Sequence, residues 1–209
     1  MEPLEILYDD AAIIAVNKPV GLATIPERDR TQGSVLEHLQ QQLGQGLWVV
    51  HRLDKEVSGV LLFARTSHVH RWLNVQFSER KVHKTYMAWV HGQVYGDQGC
   101  IDAPLRAFGS GRMGVDPERG KASLTTYEVL ERRDRITLLH AHPETGRRHQ
   151  IRVHLYHLGH PILGDPRYGD KGVQQSYSRL MLHAAAIEFT NPNGQVQRIE
   201  TPMPRDFLD

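Results

Sequence analysis

A single cysteine, Cys100, stands in 209 residues, and that scarcity excludes an internal disulfide framework and any metal site built on several thiolates. No apolar run approaches the roughly 18 residues that a membrane-spanning helix needs. The opening Met-Glu-Pro-Leu-Glu carries neither the basic stretch nor the apolar stretch of a secretory signal. A protein of the reducing cytoplasm, without membrane association, is the expectation. Internal repeats, low-complexity tracts and an obvious interdomain linker are also missing, so residues 1–209 are expected to form one domain. Charge of one sign is not in excess either: 25 Lys and Arg against 24 Asp and Glu leave a formal net charge of +1, which by itself announces no polyanionic partner.

The composition that remains is globular, with 40% hydrophobic and 23% charged residues in a chain long enough to bury a substantial core. The charges are unevenly placed. Glu2, Glu5, Asp9 and Asp10 open the chain and Glu200, Asp206 and Asp209 close it, while Arg106, Arg112, Arg119, Lys121, Arg147, Arg148 and Arg152 lie between. A local basic surface binds phosphates even when the total charge is near zero, although scattered solvated cations satisfy the same count.

Short apolar runs at 6–8 and 12–17 read as strands, and Lys18-Pro19-Val20-Gly21 ends the pattern. A polar loop over 25–32 follows. Ser34-Val35-Leu36-Glu37 has the spacing of a capping box before a helix that runs to about Leu43. Strands are expected before His51 and after Gly59, a helix after Ser67, and a strand over 84–90. The Gly- and Pro-rich, cationic stretch 102–121 reads as a long excursion outside the core. Paired strands are expected over 123–130 and 135–142, and a helix from about Arg148 to Leu158 with Gly159 as its stop. On that helix Arg148 and Arg152 share a face four residues apart, and Ile151, Leu155 and Leu158 mark the core side. Strands at 183–190 and 196–200 flank Asn191-Pro192-Asn193-Gly194, a hairpin turn. This irregular interleaving predicts an α+β fold with a mixed, largely antiparallel central sheet flanked by helices.

The stretch His51-Arg52-Leu53-Asp54-Lys55-Glu56-Val57-Ser58-Gly59 sets a carboxylate among cations on an exposed connection between two buried strands, where reactive groups are commonly displayed. An Asp near Ser-Gly also caps its own turn, and the stretch alone does not separate the two roles. Thr145-Gly146-Arg147-Arg148-His149-Gln150-Ile151-Arg152 crowds cations into the first turns of a helix whose dipole is positive there, an arrangement that calls for a nearby anion.

Six segments in order resemble the RluA-like family of pseudouridine synthases: Val16-Asn17-Lys18-Pro19-Val20-Gly21-Leu22, His51 to Gly59, Lys84-Thr85-Tyr86, Thr145 to His154, Gly159-His160-Pro161-Ile162-Leu163-Gly164-Asp165, and Arg179-Leu180-Met181-Leu182-His183-Ala184. Val57 departs from the Thr usual in that family, a change expected to alter turn packing more than chemistry. The resemblance implies the pseudouridine synthase fold in its short form, without a separate preceding RNA-binding domain, bilobed and with an active-site cleft between the halves. It implies isomerisation of uridines in transfer RNA, large-subunit ribosomal RNA or both, by a monomer that needs no cofactor and no metal. Asp54 is then the catalytic carboxylate, Arg152 its ionic partner, and Tyr86 the ring that faces the uracil. Arg52 is expected to occupy the gap left when the base is flipped out. His51, Arg147, Arg148, Arg112, Arg119 and Leu182 are the further expected RNA contacts, with the loops at 25–32 and 105–121 gripping a stem-loop.

Three other readings fit part of these residues. His149, His154, His157 and His160 invite a metal, but no adjoining Cys or carboxylate pattern completes a site. Asp54 with Asp165 or Glu56 has the makings of a glycoside-hydrolase pair, without evident platform aromatics. A non-catalytic RNA-binding module of the same fold would retain the cations and dispense with Asp54.

Overall fold

The computed structural model describes residues 2–27, 33–109 and 111–207; residues 28–32 of the expected RNA-gripping loop and Ser110 of the second lie outside them. In chain order the elements are β1 (Ile6–Asp9), β2 (Ile13–Lys18), α1 (Val35–Leu43), β3 (Trp48–Val49), β4 (Ser58–Ala64), α2 (Ser67–Ser78), β5 (His83–His91), β6 (Gln98–Asp102), β7 (Leu105–Ala107), β8 (Met113–Val115), β9 (Leu124–Arg133), β10 (Ile136–Pro143), α3 (Gln150–His157), α4 (Lys171–Gln174), β11 (Leu182–Thr190) and β12 (Val196–Glu200). Each strand pair whose register is described is antiparallel, in keeping with the α+β expectation. The chain divides into two compact units, one of residues 1–83 with 184–202 and one of 84–183 with 203–209.

In the first unit the strands run in the order β1-β2-β4-β11, with β12 beside β11 and β3 beside β4. All seven residues of β4 are buried, so its sequence Ser-Gly-Val-Leu-Leu-Phe-Ala is apolar without alternation, as a strand covered on both faces must be. Ile13, Ala15, Val60, Leu62, Val69, Leu73, Ile187 and Phe189 form the core on one face. Capping starts α1 where the sequence predicts and α2 one residue earlier than expected, at Ser67 with Thr66 as its cap. Ser34 Oγ accepts from the Glu37 amide at 3.2 Å and donates to the Glu37 carboxylate at 2.9 Å, and Thr66 Oγ1 accepts from the Val69 amide at 3.2 Å. Each cap satisfies a donor that the first turn cannot pair internally.

In the second unit the order is β5-β10-β9-β6, and α3 is tied to one face of β9. Gln150 Nε2 donates to Leu124 O and Thr125 Oγ1 at 2.9 and 3.0 Å, and His154 Nδ1 lies 2.8 Å from Thr125 Oγ1. Two expectations are corrected here. The stretch 102–121 is not wholly outside the core: β7 and β8 pair as a hairpin, and Leu105 is buried with Val153 and Tyr168. Strands of three residues are too short to show periodicity, so their Gly and Pro punctuation reads as loop. The third helix starts at Gln150 rather than Arg148, because His149 takes a left-handed conformation at φ 53°. Arg148 therefore precedes the helix and shares no helical face with Arg152, and Leu158 is exposed rather than part of the core side.

Gly59 is required by its surroundings. It sits at φ +116°, and a Cβ there would lie 2.2 Å from the Ala184 carbonyl oxygen, a backbone atom of β11 that cannot swing aside. Gly59→Ala is expected to lower the unfolding free energy by about 2–4 kcal/mol through strain and overlap, measured by urea denaturation against wild type.

Candidate active site

The segment bearing Asp54 is irregular between β3 and β4, yet its backbone is anchored on either side of that residue. Before it, buried Leu53 gives both main-chain groups to one hydroxyl: its amide donates to Thr24 Oγ1 at 3.1 Å, and Thr24 Oγ1 donates to its carbonyl at 2.9 Å. After it, the Lys55 carbonyl accepts from the Gly21 amide at 2.9 Å and from Lys18 Nζ at 3.1 Å. The Asp54 carbonyl itself accepts from the Val57 amide at 3.1 Å. Thr24 is held in turn by α1, where the Val35 and Leu36 amides donate to the carbonyls of Ala23 and Thr24. Anchoring of this kind restricts where a half-buried carboxylate can go before any substrate arrives, which is how loops on rigid scaffolds carry chemistry.

Lys18 is the notable support. Its side chain is wholly buried, and its ammonium donates to the carbonyls of Pro19 and Lys55. In the sequence its signal is a lysine at the end of an apolar strand just before Pro, to which motif and spacing alone assign no role. Val57 is buried, so its side chain takes part in packing. Around the same segment Arg52 is exposed. His51 accepts from the Leu62 amide at 3.0 Å through Nε2 and stacks on Phe77 with centroids 5.3 Å apart, which engages its ring in holding β4.

The second unit carries Tyr86 and Arg152. Tyr86 is half-buried on β5, opposite Ala141 of β10. Arg152 lies inside: its side chain is 1% exposed, and Asp165, at 0%, takes its Nε and Nη2 side-on at 2.8 Å each. Asp165 Oδ1 also accepts from the amides of Arg167 and Tyr168. With both oxygens so engaged, Asp165 is poorly suited to the acid or base duty of a glycoside-hydrolase pair. The side-on grip uses one edge of the guanidinium and leaves Nη1 outside this pair. Tyr168 lies beneath, with the Arg152 guanidinium carbon 5.4 Å and that of Arg112 5.1 Å from its ring centre. The Tyr168 hydroxyl accepts from the Met113 amide at 3.2 Å and meets His149 Nδ1 at 2.9 Å. Burial pushes its phenol above the usual range, so it stays protonated. Neither Tyr168 nor the Asp165 contact to Arg152 was singled out from sequence.

The other expected contacts spread over this unit. Arg112 is exposed on the β7–β8 hairpin and also reaches over the exposed Tyr156 ring at 5.6 Å. Arg119, Arg147 and Arg148 are exposed, and Leu182 is buried at the start of β11. Of the histidines on or near α3, His154 contacts Thr125 Oγ1 and the Ala103 carbonyl, His160 Nδ1 lies 2.8 Å from the His91 carbonyl, and His157 is exposed. Lys84, on β5, donates to the Thr145 carbonyl at 3.3 Å, and burial lowers its ammonium from 10.5 to about 8.

Two measurements follow. Asp165→Asn removes the carboxylate charge from this buried pair and is expected to cost about 3–5 kcal/mol of stability, read by chemical denaturation. For Lys84, the fold carries the full penalty of a buried charge below about pH 8 and is relieved of it as the pH rises toward 10.5. Wild type should therefore gain up to about 3 kcal/mol relative to Lys84→Met across that window, measured as the difference of their unfolding free energies against pH.

Residues 12–157 match the model of a family described as RNA pseudouridylate synthase. The chain is 40% identical to the ribosomal large subunit pseudouridine synthase D of Nitrosomonas europaea, over 98% of its own length and 63% of that protein. It is 39% identical to the tRNA pseudouridine synthase C of Pasteurella multocida, over 93% of its length and 88% of that protein. Among solved structures it is similar to human RNA pseudouridylate synthase domain containing 1, with a TM-score of 0.82 and 30% identity over 97% of this chain and 86% of that one.

Proposed function

The chain belongs to the RNA pseudouridylate synthase family, of the RluA-like kind, and from that premise we propose that it isomerises uridine to pseudouridine in transfer RNA, large-subunit ribosomal RNA or both. Relatives named for each of the two RNA classes support that breadth. The observation that carries the reading is the anchored display of Asp54, whose neighbours Leu53 and Lys55 are both fixed through their main chains.

The reaction breaks the nitrogen glycosidic bond, turns the freed uracil and rejoins it to the ribose through its fifth ring carbon. Asp54 acts as nucleophile or base at the sugar or the ring, and all three routes open to it (attack on the sugar, attack on the ring, or removal of a sugar proton to give a glycal) begin from its ionised carboxylate. Arg152 is the ionic partner of that carboxylate, and its buried, side-on hold by Asp165 supports a fixed orientation for the task. Tyr86 stacks on the uracil and assists loss of the proton displaced from the fifth carbon. Arg52 enters the helical stack in place of the extruded base. Exposed Arg112, Arg119, Arg147 and Arg148 contact phosphates, and His51 and Leu182 are the remaining RNA contacts of the proposal. The proposal includes a monomer in the cytoplasm that uses neither metal nor cofactor for this step. Among the described residues, no helix is long and apolar enough to cross a membrane.

Tritium release from transfer RNA and ribosomal RNA labelled at the fifth uracil carbon tests the assignment. Wild type is expected to release label from at least one pool and Asp54→Asn from neither, with RNA affinity largely kept. Equal release by the variant would refute the role of Asp54, and RNA binding without release from either pool would favour a non-catalytic module. Arg119→Ala should weaken RNA binding and reduce the dependence of log affinity on log salt by about one phosphate contact, measured by titration at several salt concentrations.

A further inference from the structure

On the second unit, His140 and His142 lie two residues apart on β10 and so project from the same face of the sheet. Glu128 of β9 stands in register opposite His140. Its Oε1 is 2.9 Å from His140 Nδ1 and 3.6 Å from His142 Nε2, and one donor atom from each of the three residues lies within 4.8 Å of the others. A tetrahedral centre with bonds of about 2.0–2.1 Å holds its donors roughly 3.3 Å apart, so the two measured separations bracket the required one. Among the described residues this is the one place where three such donors converge. We propose that Glu128, His140 and His142 bind one divalent transition-metal ion of the zinc class across β9 and β10.

The donor set decides the class. Two imidazoles and a carboxylate suit zinc, cobalt, nickel or copper, whereas magnesium and calcium seek oxygen alone. Thr85 Oγ1, 3.4 Å from His142 Nδ1, is placed to accept the proton of that nitrogen, which turns Nε2 toward the ion; partners of this kind orient metal-binding imidazoles. The site is open, with Glu128 exposed and both histidines half-buried, so water completes the coordination.

Register places it on the sheet face opposite Tyr86 and α3. Thr125 faces α3 and pairs with Pro143, so Pro143 and Ala141 share the helix-bearing side, and Tyr86, opposite Ala141, points that way too. His140, His142 and Glu128 alternate to the other side. An ion here clamps two neighbouring strands and takes no part in the isomerisation. Spacing along the chain draws attention instead to the histidines on or near α3, where no metal is expected, because the carboxylate of this set comes from a different strand.

The test is calorimetric titration of the metal-stripped full chain with zinc, together with cobalt absorption, for wild type, His140→Ala, His142→Ala, Glu128→Gln and Cys100→Ser. Wild type and Cys100→Ser should bind one equivalent, and each ligand variant should lose at least tenfold in affinity. Zinc should raise the melting temperature of wild type and leave the His variants unmoved, with all proteins melting alike without metal. Absence of binding by wild type, or binding that survives unchanged in the variants as on scattered surface histidines, would overturn the proposal. Should a His variant fail to fold, Glu128→Gln decides in the same way. None of these readings uses RNA, so the outcome is independent of the proposed isomerase activity.

Discussion

Arg152 sits inside a protein that could have filled the same space with leucine. A guanidinium stripped of water loses several kcal/mol of hydration, and the mutual attraction of a buried pair often no more than compensates. Such a group persists only where hydrogen bonds surround it, and here Asp165 supplies both carboxylate oxygens while the amides of Arg167 and Tyr168 hold Asp165. The consequences reach outward. Tyr168, packed under Arg152, receives the Met113 amide and so holds the β7–β8 hairpin, and it shares its ring with Arg112 and its hydroxyl with His149. One expensive ion pair thus organises the helix α3, the segment after it and the hairpin.

The first unit solves a related problem with smaller means. Asp54 is borne on irregular chain, where backbone groups would ordinarily be satisfied by water and the carboxylate would wander. The Thr24 hydroxyl acts there as donor and acceptor to a single residue, and the buried Lys18 ammonium supplies a donor to the Lys55 carbonyl. Neither contact touches the Asp54 carboxylate. Each removes a freedom that would otherwise have to be lost when substrate binds, which is the physical sense of preorganisation.

The two faces of the β9–β10 pair show how strand alternation separates duties. One face holds Thr125 and Ala141 and receives α3, so its small and hydroxyl-bearing residues fit against the helix. The other holds Glu128, His140 and His142 in reach of water. A shift of one residue in register would exchange the two sets, and the antiparallel ladder over these residues is what prevents it.

Much of this was legible in the residues. Capping at Ser34, the alternation of β9 and β10, the unbroken apolar run of β4 and the loop position of Asp54 are local properties, and local sterics and periodicity express themselves within a few residues of chain. What stayed hidden depended on partners far away in sequence. The short hairpin in 102–121 is strand only because Leu105 finds Val153 and Tyr168. One local feature also stayed hidden: Arg148 falls outside α3 because His149 adopts a left-handed turn. Arg152 is buried because Asp165, thirteen residues on, returns to it, and Glu128 joins His140 only through a strand register. The sequence by itself determined the family resemblance and which local elements form, since those follow from side-chain type and spacing. Only the tertiary structure decided which charges are buried, which backbone groups anchor Asp54 and which donors converge, because burial and pairing are set by contacts that spacing along the chain does not encode.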